Sequence, residues 1–453
     1  MIGVKTIGNA TLIAYEDVPV LATDPWFGEE DKAFFGSWGL PYQIPAAERD
    51  DIKKAKYIWF SHGHQDHLNP CSIERLRHLS ILIPDHVGGR IKNDLQAQGY
   101  DVRILPDGRW IQLSNRIKIF CIADYNQDAI LLVDVGGRLF INMNDASPRA
   151  HLRVIRGIAR EYNYSYLLQL VGYTAGMVNL FDQNGNRIEP RFGRVGRELA
   201  RYARELGAKS VIPFSSFHRF EREDSAWANS YLTPLSAYQH GFDETLAEFI
   251  PPFAWIDCVS GEILNLDPPE APISLRKPAE FGDSWSDELG TDDKQVINDY
   301  FQQKEVLRGM LGFIEFDVGG KLHAVDLAGP RDRGITFAAP RNSLMIAINN
   351  KVFDDLEGTN FMKTTLHNFE SLYSGSVYSP SFNALIGKWA DNGGADTKNE
   401  VKSYLAEYRH RVTRVDWFLH NLKLEGEPRL RRYLGGESWL YTLARAAYRR
   451  ALR

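Results

Sequence analysis

Four residues able to ligate a metal fall within six positions of WFSHGHQDHLNP, residues 59–70: His62, His64, Asp66 and His67. Ligation needs lone pairs held on a short rigid arc, and imidazoles beside a carboxylate supply them in the spacing H-x-H-x-D-H. The run KYIWFS just before reads as a strand that delivers His62, and the turn after it swings His64, Asp66 and His67 inward. Imidazole suits zinc, iron, copper and nickel, whereas added carboxylates move a site toward harder ions of higher coordination number. The chemistry of this stretch is that of a cation.

The elements that must position these groups are short. KTIG, TLIAYE, VPVLATD, KYIWFS, VRILP, RIKIFCIA, AILLVDV, RLFINM, SYLLQLV and SVIPF end at Gly, Pro, Asn or Asp, or close to one, as strands do. CSIERLRHL, RIKNDLQAQ, RAHLRVIRGIARE and GRELARYARELG carry the apolar spacing of helices. Strands in hairpin-like succession, then alternating with helices, fit two sheets packed face to face with helices outside.

Composition shifts near residues 266–300, where Pro and acidic residues concentrate and the chain reads as a linker or wrapping arm. Residues 1–265 thus form one region and 301–453 a second, α+β region ending in helices. In the second, LGFIEFDVGGKLHAVDLAG predicts a hairpin turned by Gly319 and Gly320, with Phe316, Val318, Leu322 and Val325 alternating on it. NSLMIAI predicts a further strand and residues 398–423 a helix. The basic side of ESWLYTLARAAYRRALR, with Arg445, Arg449, Arg450 and Arg453, reads as a solvated helix end, so membrane contact is not expected.

The chain is 453 residues long with 44% hydrophobic and 25% charged residues, an ordinary globular composition. Its net charge of -5 provides no global basic field, so nucleic-acid binding is not expected. Cys71, Cys121 and Cys258 are widely spaced, which fits a reduced compartment and a cytoplasmic protein.

HGHQDH after a strand, together with Asp24 in LATDPW, resembles the metallo-β-lactamase superfamily over roughly residues 1–265. The resemblance implies an α/β fold, an αββα sandwich with two metals at its rim, here followed by the C-terminal α+β and helical extension. It further implies that His62 and His64 serve one metal and Asp66 and His67 the other, with Asp24 orienting a ligand. Asp145, in INMNDASP, takes the place of the bridging aspartate, and His218, in IPFSSFHRF, that of the last histidine. No histidine stands where the hydrolases carry their third, and Asp124, in ADYNQDA, is expected to replace it.

INMNDASP, GYTAGMVNLF and the runs from IPFSSFHRFEREDSAWANSYLTP to FGDSW look like the lactamase-like part of the CMP-N-acetylneuraminate hydroxylases. The ligand pattern is also similar to that of lactamase-fold di-iron β-hydroxylases. What this implies is a di-iron, O2-dependent hydroxylase of a sugar-like or anionic biosynthetic molecule, with Fe favoured over Zn or a mixed pair. The three cysteines supply no Rieske ligand pairs, so electrons are expected from an external reductase or ferredoxin. Hydrolysis of a phosphodiester, lactone or amide by a bridging hydroxide is the alternative. Tyr173, in VGYTAG, is a candidate contact to substrate. Arg187, Arg191, Arg194, Arg197, Arg201 and Arg204 read first as a solvated basic face, second as a phosphate grip, and a homodimer is a further expectation.

Overall fold

The computed structural model describes residues 1–28, 30–170, 178–189, 195–368 and 381–422. Tyr173, Arg191, Arg194 and the terminal arginines lie outside them.

Two sheets face each other. The first has eight strands, in which Val18–Thr23, Tyr57–Trp59, Ser80–Pro84 and Asp101–Leu105 run parallel, beside antiparallel Ile2–Ile7 and Thr11–Glu16. In the seven-stranded second sheet, Arg138–Asn144, Ser165–Gln169 and Ser210–Pro213 are parallel, while Ile117–Ala123 and Ala129–Val135 are antiparallel. Side chains alternate between two layers of core. Leu12 and Ala14 join Leu131, Val133, Phe140 and Ile212 between the sheets. Ile13, Leu132 and Val211 point the other way, toward Ile52, Ile155 and Leu199 of helices Ala46–Lys54, Leu152–Ala159 and Val195–Leu206. Because both faces of Ala129–Val135 are covered, all seven of its residues are buried and it reads as an apolar run broken only by Asp134, which accepts from the Tyr162 hydroxyl. The architecture is an αββα sandwich, the form that the resemblance implies.

A third sheet gathers Phe313–Val318, Lys321–Asp326, Gly334–Ala338 and Lys363–His367 around Phe316, Phe337 and Phe353. Its far edge is Leu180–Asp182, which pairs in parallel with Lys363–His367. The hairpin forms as its sequence predicts, with Gly319 at φ 64° and Gly320 at φ 73°. Leu322, however, is exposed. It pairs with Asp317, on the face opposite to Phe316, Val318 and Val325.

Two further expectations give way. NSLMIAI lies in helix Arg341–Asn349, where Leu344, Met345 and Ile348 meet the core at helical spacing and Ile346 faces out. The helix expected over 398–423 closes at His410 and restarts at residue 414, because the Thr413 hydroxyl caps the backbone N–H of Asp416.

The acidic, proline-rich stretch is an arm that packs along the molecule. Its Asp283 lies buried against the Arg222 guanidinium at 2.7 Å and accepts from the N–H and hydroxyl of Ser343, at 2.9 and 2.6 Å. Arg222 in turn lies over the Phe361 ring at 3.9 Å. One carboxylate thus joins the arm to Arg222 of the first region and to helix Arg341–Asn349 of the second. Asp283→Ala leaves a buried arginine without that partner, and the expected loss is about 3–5 kcal/mol of stability; urea unfolding with an unchanged midpoint would contradict it.

Candidate metal centre

The functional side chains stand just beyond strand ends on one rim of the sandwich. Asp24 follows Val18–Thr23, His62 follows Tyr57–Trp59, Asp145 follows Arg138–Asn144, and His218 comes five residues after Ser210–Pro213. The backbone there turns through left-handed conformations at Asp24 (φ 39°), Asn144 (36°), Ser215 (69°) and Ser216 (41°). Such positive φ is uncommon outside glycine and gathers where a fold aims side chains at a site.

His62 Nε2 and His64 Nδ1 face each other at 2.8 Å, and with an Asp145 oxygen they lie within 4.8 Å of one another. On the other side of Asp145, His67 Nε2 is 3.4 Å from its Oδ1 and 3.5 Å from Oδ2 of Asp66. His67 Nε2 is buried without a hydrogen-bond partner, and so is His218 Nε2. A buried polar atom left in that state costs on the order of 1–3 kcal/mol, unless something takes its lone pair. These orphaned nitrogens beside clustered carboxylates fit the binding of metal ions.

Each ligand candidate is held from behind. Asp24 accepts from Ser61 N–H at 2.7 Å and meets His67 Nδ1 at 3.0 Å, which fixes that ring and directs Nε2 inward. Asn9 donates to Asp66 Oδ2 at 3.0 Å and accepts from Phe217 N–H at 2.7 Å, tying the two sides of the rim together. The Ser215 hydroxyl donates to Asp145 Oδ1. His218 stacks flat on Trp38, ring centroids 3.4 Å apart, and its Nδ1 lies 3.2 Å from the Ser216 carbonyl.

The electrostatics follow from this crowding. Burial, with the neighbouring His67 and His64 rings, pushes His62 well below the usual imidazole range. Burial, outweighing the Ser216 carbonyl and Asp145, takes His218 down to about 3. Burial also opposes charge on His67, yet Asp66, Asp145 and Asp24 outweigh it and hold that ring well above the usual range. Asp145, despite burial, is held below the usual carboxylate range by His67 and by the Ser215 hydroxyl.

Asp124 is not brought into this group. Its Oδ2 accepts from Arg149 Nε at 2.6 Å and its Oδ1 from Asn126 N–H at 2.7 Å, and burial raises it to about 6. Arg201 pairs with Glu198 and Glu205 along its own helix, while Arg197 and Arg204 face solvent. Arg187 donates to the Val178 carbonyl and lies over the Trp227 ring.

Sequence reasoning missed the contribution of the second region. Helix Phe353–Gly358 presents Asp354, whose Oδ2 is 3.4 Å from His64 Nε2. Its neighbour Asp355 accepts from Gln65 of the motif turn at 3.1 Å. Lys388, on the π-helix Ala384–Asn392, puts its ammonium 3.2 Å from the same His64 nitrogen and 3.6 Å from Asp128. The acidic start of a helix carries no signal for this, since it ordinarily just complements the helix dipole. The π-helix is rarer and tends to accompany functional sites, but no local pattern in ALIGKWADN announces it.

Fold and converging side chains define the class: an αββα sandwich whose rim gathers histidines and aspartates able to hold metal. No family model matches the chain. It is similar to cytidine monophosphate-N-acetylneuraminic acid hydroxylase of Asterias rubens, 29% identical over 137 residues, 28% of this chain and 21% of that protein. The Danio rerio protein of the same name is 24% identical over 144 residues, 30% of this chain and 24% of that one. The match therefore spans about a quarter or less of these relatives' length. Among solved structures, the di-iron β-hydroxylase CmlA of Streptomyces venezuelae aligns with a TM-score of 0.35 at 14% identity, over 58% of this chain and 54% of that one. The metallo hydrolase Igni18 of Ignicoccus hospitalis aligns with a TM-score of 0.37 at 14% identity, over 59% of this chain and 98% of that one. No helix among the described residues is long and apolar enough to cross a membrane.

The contrast between two aspartates is directly measurable. Asp145→Asn removes a carboxylate shared by both sets of nitrogens, and metal per chain should fall to less than half of wild type. Asp124→Asn, at the Arg149 pair, should leave metal content unchanged; elemental analysis giving the reverse order would make Asp124 a ligand.

Proposed function

We propose that the protein is a binuclear metalloenzyme that holds two iron ions and uses O2 to hydroxylate a small biosynthetic molecule of sugar-like or anionic character. The observation that carries this reading is the set His62, His64 and Asp145. Two imidazoles and one carboxylate, with no third imidazole in that group among the described residues, form the ligand type that non-haem iron uses for oxygen chemistry. Nitrogen-only sets, by contrast, favour zinc and hydrolysis. The similarity to proteins named as hydroxylases supports the same reading.

In this proposal His62 Nε2, His64 Nδ1 and Asp145 hold one ion, and Asp66, His67, His218 and Asp145 hold the other. When bound, the iron pair would supply the O2 activation that no side chain can. The chain's own residues orient and exclude. Asp24, Asn9 and Ser215 keep the ligand atoms aimed at the shared centre, so that little rearrangement is needed when cations bind. Trp38, packed on His218 and against Phe34, closes one wall with apolar surface and keeps water from that side. Electrons come from a separate reductase or ferredoxin. Tyr173, at the end of the run VGY, remains a candidate contact to the substrate.

The test is metal analysis of protein purified without oxygen, followed by Mössbauer spectroscopy. A magnetically coupled pair, about two irons per chain, that oxidises on exposure to O2 is the expected result. Reproducible loading with two zinc ions, with no retention of iron, would overturn it in favour of metal-dependent hydrolysis.

A further inference from the structure

We propose that Asp354 is a positioning residue of the metal centre: it accepts the Nε2–H of His64 and so leaves His64 Nδ1 free for the ion shared with His62 and Asp145. The inference rests on the metal pair proposed above and deepens it. An imidazole offers a lone pair on one nitrogen only when its proton sits on the other. His64 Nδ1 is the nitrogen that faces His62 Nε2, at 2.8 Å, so its usefulness depends on what happens at Nε2.

Two groups compete there. Asp354 Oδ2, at 3.4 Å, can only accept while it is ionised. Lys388 Nζ, at 3.2 Å, can only donate. If the ammonium wins, the ring proton moves to Nδ1 and points at His62, and the pair cannot ligate. If the carboxylate wins, both inward nitrogens are lone pairs. Lys388 has other acceptors, notably Asp128 Oδ1 at 3.6 Å, whereas Asp354 stands beside Asp355, whose carboxylate is already engaged with Gln65. That Gln65 contact also pins helix Phe353–Gly358 to the turn that carries His64. The arrangement repeats what Asp24 does for His67 at 3.0 Å, with a difference of origin. Asp24 belongs to the sandwich, while Asp354 comes from the second region. Asp354 reaches the ring nitrogen that points away from His62, which gives it the place of an orienting group. The second region is therefore part of the metal centre.

The experiment uses the full chain. In metal-free protein, nitrogen–proton correlation spectra of the imidazole rings should show His64 as the Nε2–H tautomer. In Asp354→Leu, which can accept nothing, Lys388 is left as the partner of that nitrogen and His64 should move to Nδ1–H. Cobalt(II) titration should then find one of two sites weakened about 10- to 100-fold. Lys388→Met removes the competitor and should keep both the tautomer and the two affinities. Wild-type tautomer and affinities in Asp354→Leu would overturn the inference while leaving the metal pair standing. The Nδ1–H tautomer in the wild-type protein would overturn it even if a variant fails to fold. Wild-type protein that takes up no cobalt would overturn the metal pair itself, and the inference with it.

Discussion

His67 sits fully buried with a carboxylate on one ring nitrogen and two more in front of the other. Burial disfavours charge on every one of these groups, so bringing them together raises the free energy of the folded chain unless their charges and lone pairs are matched. Much of the rim can be understood as a response to that cost. Asn9, Ser215, Ser61 and the backbone N–H groups at the strand ends satisfy the outward-facing atoms, and the inward-facing ones are left to converge. The sandwich supplies the rigidity. Strand ends that are hydrogen-bonded on both sides cannot drift apart to relieve the repulsion, so the polar groups remain aimed at one point.

The same constraint explains why the second region is folded onto the rim and is not a separate appendage. Trp38 donates to the Gly358 carbonyl at 3.0 Å, Ser37 to that of Thr359 at 2.7 Å, and Arg90 reaches Asn392 at 3.1 Å. Tyr404 and Trp389 both donate to the Tyr125 carbonyl, at 2.8 and 2.9 Å. These contacts run from one side of the rim to the other and remove water from around the charged cluster. Each charge–charge interaction inside is strengthened by the lower local polarity, whether it attracts or repels.

How much of this was legible beforehand follows the range of the forces. Strands such as Ala129–Val135 and the turn carrying His62 to His67 depend on neighbours in sequence, and their pattern states them. The sandwich follows, because alternating and continuous apolar runs allow few other packings. Asp124 illustrates the limit: its position after a strand suits a ligand, but Arg149, 2.6 Å away in space, claims it. Asp354 illustrates the converse. Nothing adjacent to FDDLEG distinguishes it from an ordinary acidic helix start, and only the fold brings it to a histidine far earlier in the chain. NSLMIAI was ambiguous for a simpler reason, since a short run of apolar residues satisfies both periods and the core decides.

Strand Leu180–Asp182 bonds on one side to the turn that follows it, through Asn186 and Ile188, and on the other to Lys363–His367, across on the order of 180 intervening residues, a long loop to close. During synthesis at roughly 5–20 residues per second, the sandwich strands are all available well before that partner emerges. For many seconds the nascent chain therefore carries a sandwich whose rim is uncovered and one short hairpin whose outer edge awaits a neighbour. Such an edge can template association with another chain. The late return of residues 363–367 thus makes correct assembly a matter of timing, with the final covering of the rim delayed until most of the polypeptide has been made.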